Sequence, residues 1–242
     1  MSGWGSRQCF DRWWQGHVRR RNERRLARFQ PAGTPLLKRA ARQVLLLQAA
    51  FLAAILVLIC LPTHAQAQPA DAARYQLTLR REAQQAWGLG APVASLAAQV
   101  HQESRWNTTA RSAVGAQGLA QFMPATSTWI SGLYPSLADR APENPTWALR
   151  ALVVYDKWLS DRIRAADDCQ RFAFALSAYN GGLGWVYKRQ KLSPEPGVCF
   201  GATCTINPGV SAASQKENAH YPDVILHRWQ PLYSSWGVGA CP

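Results

Sequence analysis

Glu103 is the acidic side chain whose position needs explaining. It closes the stretch Leu96-Ala-Ala-Gln-Val-His-Gln-Glu103, where Val93, Leu96, Ala97 and Val100 recur at helical spacing. Glu103 lies three residues after Val100 and seven after Leu96, so a helix places it on that same apolar face. A carboxylate there costs free energy unless it is paired, protonated or turned toward a cleft. Desolvation favours the protonated form and lifts the pKa toward neutrality, where a carboxyl can serve as a general acid.

Other chemistries are poorly supplied. His101-x-Glu103 is half of a zinc-deaminase pattern, but no Pro-Cys-x-x-Cys follows. Neither His-Glu-x-x-His nor Gly-x-Ser-x-Gly occurs. His101 is expected to pack or hydrogen-bond beside Glu103 rather than to ligate a metal, and no cofactor is expected. A second carboxylate is not apparent. Asp139 and Glu143 sit in loop-like sequence, and Asp156, Asp161, Asp167 and Asp168 suit the outer face of a helix.

Three further clusters accompany Glu103-Ser104. They are Gly118-Leu119-Ala120-Gln121-Phe122-Met123-Pro124, Ala178-Tyr179-Asn180-Gly181-Gly182, and Glu217-x-x-x-Tyr221. In this order, with Gly118 placed 15 residues after Glu103, they resemble the soluble lytic transglycosylase family over about residues 96–226. Ala120 stands where the family usually has Met, and Pro222 where it has an apolar residue after the tyrosine. The segment carrying Cys199 and Cys204 is additional to the family pattern.

The resemblance implies a mainly helical, lysozyme-like domain that cleaves the β-1,4 bond between N-acetylmuramic acid and N-acetylglucosamine. It makes Glu103 a single acid and base: the muramic C6 hydroxyl attacks C1 and leaves a 1,6-anhydro end, with neither metal nor water consumed. Under that reading Gln121 and Asn180 address sugar hydroxyls and N-acetyl groups, and Tyr179 orients Glu103. Ser104 contacts substrate, and Met123 and Tyr221 line the cleft. Trp106, the indole nearest to Glu103, is the expected stacking surface for a sugar. Glu217 is read as a helix-capping residue. A hydrolytic muramidase and a non-catalytic glycan-binding or assembly module are the competing readings.

The elements that must position these groups are legible in outline. Helices are expected over 71–87, from Pro92 past Glu103, from Pro124 to about 130, over 145–166 behind an Asn144 cap, over 172–179, and over 183–189. Residues 107–118 read as a compact loop and 192–213 as a disulfide-pinned one. Ser214-x-x-Glu217 has the form of a capping box before a helix that Pro222 must kink or restart.

Charge and cysteine usage bear on location. The formal net charge is +13, but residues 1–43 carry 11 Lys and Arg against Asp11 and Glu23, so +9 belongs to that segment. Val44 to Leu61 is an apolar run of 18 residues with one clearly polar member, Gln48, and Ala65-x-Ala67 follows. This is the order of a signal peptide or inner-membrane anchor. The expected organisation is a basic cytoplasmic-side leader (1–43), a signal or anchor (44–67) and a periplasmic domain (68–242). The leader's charge is thereby explained without nucleic acid. Four cysteines, Cys169, Cys199, Cys204 and Cys241, remain in that domain without the close pairs of a zinc module, which favours two disulfides in one of three connectivities. Peptidoglycan strands are the expected partner, with a role in wall remodelling, a secretion or conjugation machine, or phage penetration.

Overall fold

The structure is a computed structural model that describes residues 42–44, 46–48, 51 and 67–242. Most of the expected leader and of the signal or anchor segment lies outside the described residues. Among those described, no helix is long and apolar enough to cross a membrane. The chain divides into two units, Met1–His64 and Ala65–Pro242, and every element below belongs to the second.

A 3-10 turn, Ala72–Tyr75, leads into α1 (Gln76–Trp87), which Gly88 ends with a φ of 80°. The helices α2 (Val93–Ser104), α3 (Pro124–Leu133), α4 (Pro145–Ser160) and α5 (Asp168–Gly181) follow. Then come α6 (Leu183–Leu192) and α7 (Ala212–Asp223), a π-helical turn Val224–Trp229 and a 3-10 segment Gln230–Trp236. Among the described residues, β pairing is confined to isolated bridges of Gln117 with Arg111 and Phe122. The expected predominantly helical domain is what is found.

Caps decide where the helices start. Asn144 accepts hydrogen bonds from the Thr146 and Trp147 amides at 2.9 and 3.1 Å, and Pro145 opens α4 as expected. That helix stops at Ser160, short of 166, because the chain must turn to present Asp167, whose carboxylate accepts from the Gln170 amide at 2.8 Å and starts α5. Pro92 precedes α2 as its cap instead of being its first residue. The capping box at Ser214 does not form. Ser211 accepts from the Ser214 amide at 3.1 Å, so α7 starts earlier and Glu217 lies well inside it. Pro222 stays within α7, and a π-helical turn follows directly after that helix.

α2 is the central helix. Val93 to His101 are all buried, so the stripe read from the sequence is a helix enclosed on every side. The Val224–Trp236 segment packs along it, while α4 lies between α1 and α5, and α5 also supports α6 and α7. Two buried polar residues on α2 have specific partners across the core: Ser95 bonds Gln230, and Gln99 bonds Asp156. The disulfides are Cys169–Cys241, which ties the start of α5 to the C-terminus, and Cys199–Cys204, which closes a short loop after α6.

Candidate active site

Glu103 stands in the last turn of α2, and the chain reverses immediately behind it. Arg105 and Trp106 both take left-handed conformations, with φ of 50° and 67°. Each such non-glycine residue costs on the order of 1 kcal/mol, and the indole of Trp106 supplies the compensation. It is 1 % exposed, donates from Nε1 to the Tyr233 hydroxyl at 2.7 Å and stacks on Tyr75 at 6.1 Å. Trp106 therefore offers no face to a sugar, and the expected stacking role is corrected to that of an anchor for the turn. Ser104 also serves the turn, its Oγ accepting from the Trp106 amide at 3.1 Å. His101 stacks on Trp229 and pairs with the Tyr233 hydroxyl at 2.8 Å, a packing role as expected.

Glu103 as a residue is half-buried, and its carboxyl is enclosed by protein. Burial, the largest cause, lifts its pKa from 4.5 to about 7; the Tyr221 hydroxyl opposes the rise, and the nearby charge of Glu217 adds to it. Tyr221 donates its O–H directly to Glu103 Oε1. The orienting phenol is thus Tyr221 on α7. Tyr179, the residue expected to do this, donates to the Ala120 carbonyl at 2.7 Å. Tyr221 is buried, and both burial and the neighbouring Glu103 charge push its own pKa up, so it remains a donor throughout the working pH range.

The loop between α2 and α3 is locked by the Gly118 cluster. Gly118 has a φ of +75°, and a Cβ there would meet the Pro142 carbonyl oxygen at 1.9 Å, so the position admits only glycine. Gln121, itself left-handed with φ 46°, donates from Nε2 to the Ala110 and Gly118 carbonyls at 3.1 and 2.9 Å. Its amide nitrogen braces the loop rather than reaching outward. Ala120 is fully buried, and its carbonyl receives Tyr179, so the side-chain change at 120 lies in the core and not at a sugar contact. Met123 caps α3 and is 40 % exposed, consistent with a lining position.

A polar network joins α5 to α7. Asn180 donates to Glu217 at 3.2 Å and accepts from Asn218 at 2.8 Å, and Asn218 also bonds the Ser177 carbonyl and hydroxyl at 2.9 and 2.7 Å. Beneath it the buried Arg189 guanidinium bonds Gln215 at 2.8 Å and the Ile206 carbonyl at 3.0 Å. Glu217, read from the sequence as a cap, is a network member that joins Asn180 to the electrostatics of Glu103. Asn180, Trp185, Arg189, Glu217 and Asn218 line a cleft of about 280 Å³. Neither Asn218 nor Arg189 carries a sequence signal, because their partners are brought together only by the fold.

Asp156 also departs from its expected place. Expected on an outer face, it is 0 % exposed, held by Gln99 Nε2 at 3.4 Å. Its full burial denies it any contact with a substrate.

An enclosed carboxyl with a raised pKa and a phenol fixed on one oxygen is equipped to act as a general acid. Residues 80–197 match the family described as the transglycosylase SLT domain. Tyr221 and Glu217 lie beyond the matched span. Membrane-bound lytic murein transglycosylase F of Shewanella denitrificans is 33 % identical over 99 residues, 40 % of this chain and 19 % of that protein. Its namesake in Shewanella pealeana is 31 % identical over 126 residues, 52 % of this chain and 24 % of that protein. The chain therefore spans about a fifth to a quarter of the length of these relatives. The 70 kDa soluble lytic transglycosylase of Escherichia coli superposes with a TM-score of 0.49 at 21 % identity, covering 69 % of this chain and 25 % of that one.

Proposed function

We propose that this protein is a peptidoglycan lytic transglycosylase in which Glu103 alone performs acid and base catalysis. The match to the SLT domain supports the substrate class, and the observation that carries the mechanism is the enclosed Glu103 carboxyl, raised to about 7 and held by Tyr221. Protonated Glu103 gives its proton to the glycosidic oxygen as the bond to muramic C1 breaks. The C6 hydroxyl then attacks C1, and its proton returns to the Glu103 carboxylate. The products are a free N-acetylglucosamine hydroxyl and a 1,6-anhydromuramic end, with the enzyme restored and no water consumed.

A two-carboxylate hydrolase needs a second acidic group facing the sugar. Of the two acidic groups electrostatically linked to Glu103, Asp156 is buried beyond reach of a sugar and Glu217 is engaged by the Asn180 amide. The disulfides Cys169–Cys241 and Cys199–Cys204 support export to an oxidising compartment, which we take to be the periplasm, with residues 44–67 as signal or inner-membrane anchor. Cutting of the wall there would serve remodelling or the passage of an envelope-spanning machine. The test is lysis of purified sacculi by wild type and by E103Q. Loss of lysis in the folded variant is expected, and equal lysis by both would favour a non-catalytic role for the site.

A further inference from the structure

Asp156 and Gln99 meet in the core with an unusual imbalance. Gln99 Nε2 donates to Asp156 Oδ1, but the other two polar atoms of the same groups, Asp156 Oδ2 and Gln99 Oε1, are buried with no partner. Both are acceptors if the carboxyl is ionised, so no arrangement of the two groups alone satisfies them. One proton on Oδ2 converts that atom to a donor and supplies what Gln99 Oε1 lacks, giving a reciprocal acid–amide pair. The place of this pair matters. Gln99 and Glu103 are four residues apart on α2, hence on one face of the helix, and the pair underlies the turn that carries Glu103.

We infer that Asp156 is held as a neutral carboxylic acid in a reciprocal pair with Gln99, and that this uncharged pair positions Glu103 for the reaction proposed above. Asp156 is then a positioning residue that acts through α2 and touches no substrate. Its neutrality has a second consequence. Ionisable groups in electrostatic reach of Asp156 are Tyr155 on its own helix, Glu103 on α2, Tyr179 on α5 and Tyr221 on α7, all of them acids. Burial and the charge of Glu103 both drive the Asp156 carboxyl upward, whereas the upward push on Glu103 comes from burial and from Glu217. With Asp156 neutral, Glu103 is free to release and recover its proton without an anion behind it in the core.

The inference rests on the proposed transglycosylase reading only for its kinetic part, so the test has two readouts. The first is infrared difference spectroscopy at pH 7 of E103Q against the E103Q/D156N double variant, which removes the Glu103 carboxyl from both samples. A carboxylic-acid carbonyl band lost with Asp156 is expected; a carboxylate band in its place overturns the inference whatever the protein's activity. The second is turnover on soluble glycan strands. D156L, which strands the Gln99 amide, is expected to lower kcat about tenfold with KM little changed, because the catalytic group is misplaced and not the substrate. D156N, which can donate to Gln99 Oε1 and accept from Nε2, should recover kcat to within about threefold of wild type. A D156N variant as slow as D156L would show that an ionisable proton is needed there, and a D156L variant as fast as wild type would remove the positioning role. Either overturns the inference, and neither result depends on whether the products carry anhydro ends.

Discussion

Replacing Tyr221 with phenylalanine tests the electrostatics of the site with one atom. The Tyr221 hydroxyl donates to Glu103 Oε1 and stabilises the ionised carboxylate, which holds the pKa down against the larger effect of burial. A hydrogen bond to a charged acceptor is worth about 1.5–3 kcal/mol, and one pKa unit corresponds to about 1.4 kcal/mol. Y221F should therefore raise the Glu103 pKa by about one unit or more. Because protonated Glu103 is the acid, activity falls as pH rises through this pKa. In wild type the basic limb of kcat/KM should lie near the carboxyl's value of about 7. In Y221F the limb should move upward by about that unit, while the plateau drops by about tenfold as the carboxyl loses its fixed orientation. The assay is a pH series on soluble glycan strands with circular dichroism confirming the fold. A basic limb that stays in place, or moves down, would refute the assignment of this hydrogen bond or of Glu103 as the titrating acid.

Removing the Glu217 charge should act in the opposite sense: E217Q lowers the basic limb, since that charge helps to raise Glu103. Stability should report the same carboxyl without any substrate. The native Glu103 pKa, about 7 against 4.5, means the folded state binds its proton more tightly, so Glu103 erodes stability as pH rises between those values. E103Q should thus be more stable than wild type at pH 8, by up to about 3 kcal/mol, and nearly equal near pH 4 in urea titrations. Gly118 should tolerate no Cβ: G118A, which sets a methyl against the Pro142 carbonyl at positive φ, should cost about 2 kcal/mol or more and lower the melting temperature. The Cys169–Cys241 bridge closes a 72-residue separation, against five for Cys199–Cys204. Serine replacement of both members should then cost about 4 kcal/mol for the long loop and about 2 kcal/mol for the short one.

What could be read from the sequence was what local rules determine. Helical spacing placed Glu103 on the buried face of α2, and the Asn144-Pro145 start of α4 follows from cap chemistry alone. The rest depended on partners far away in the chain. Tyr179 and Tyr221 are both tyrosines in motif positions, and only the fold, which brings Tyr221 on α7 to the end of α2, decides that it is the one at Glu103. Trp106 lies three residues from Glu103, but the reversal at Arg105 turns its indole inward to Tyr233, 127 residues on. Asp156 was assigned to an outer face because a charged residue on a helix is normally solvated. Its partner Gln99 is 57 residues earlier, and no pattern within α4 announces a buried acid.

The central claim is that one protonated carboxyl, without water or a second acid, opens the bond between muramic acid and glucosamine. Mass spectrometry of muropeptides released from purified sacculi measures it directly. Wild type should yield 1,6-anhydromuramic ends, and E103Q none. Reducing ends heavier by one water from wild type, or anhydro ends from E103Q, would contradict it.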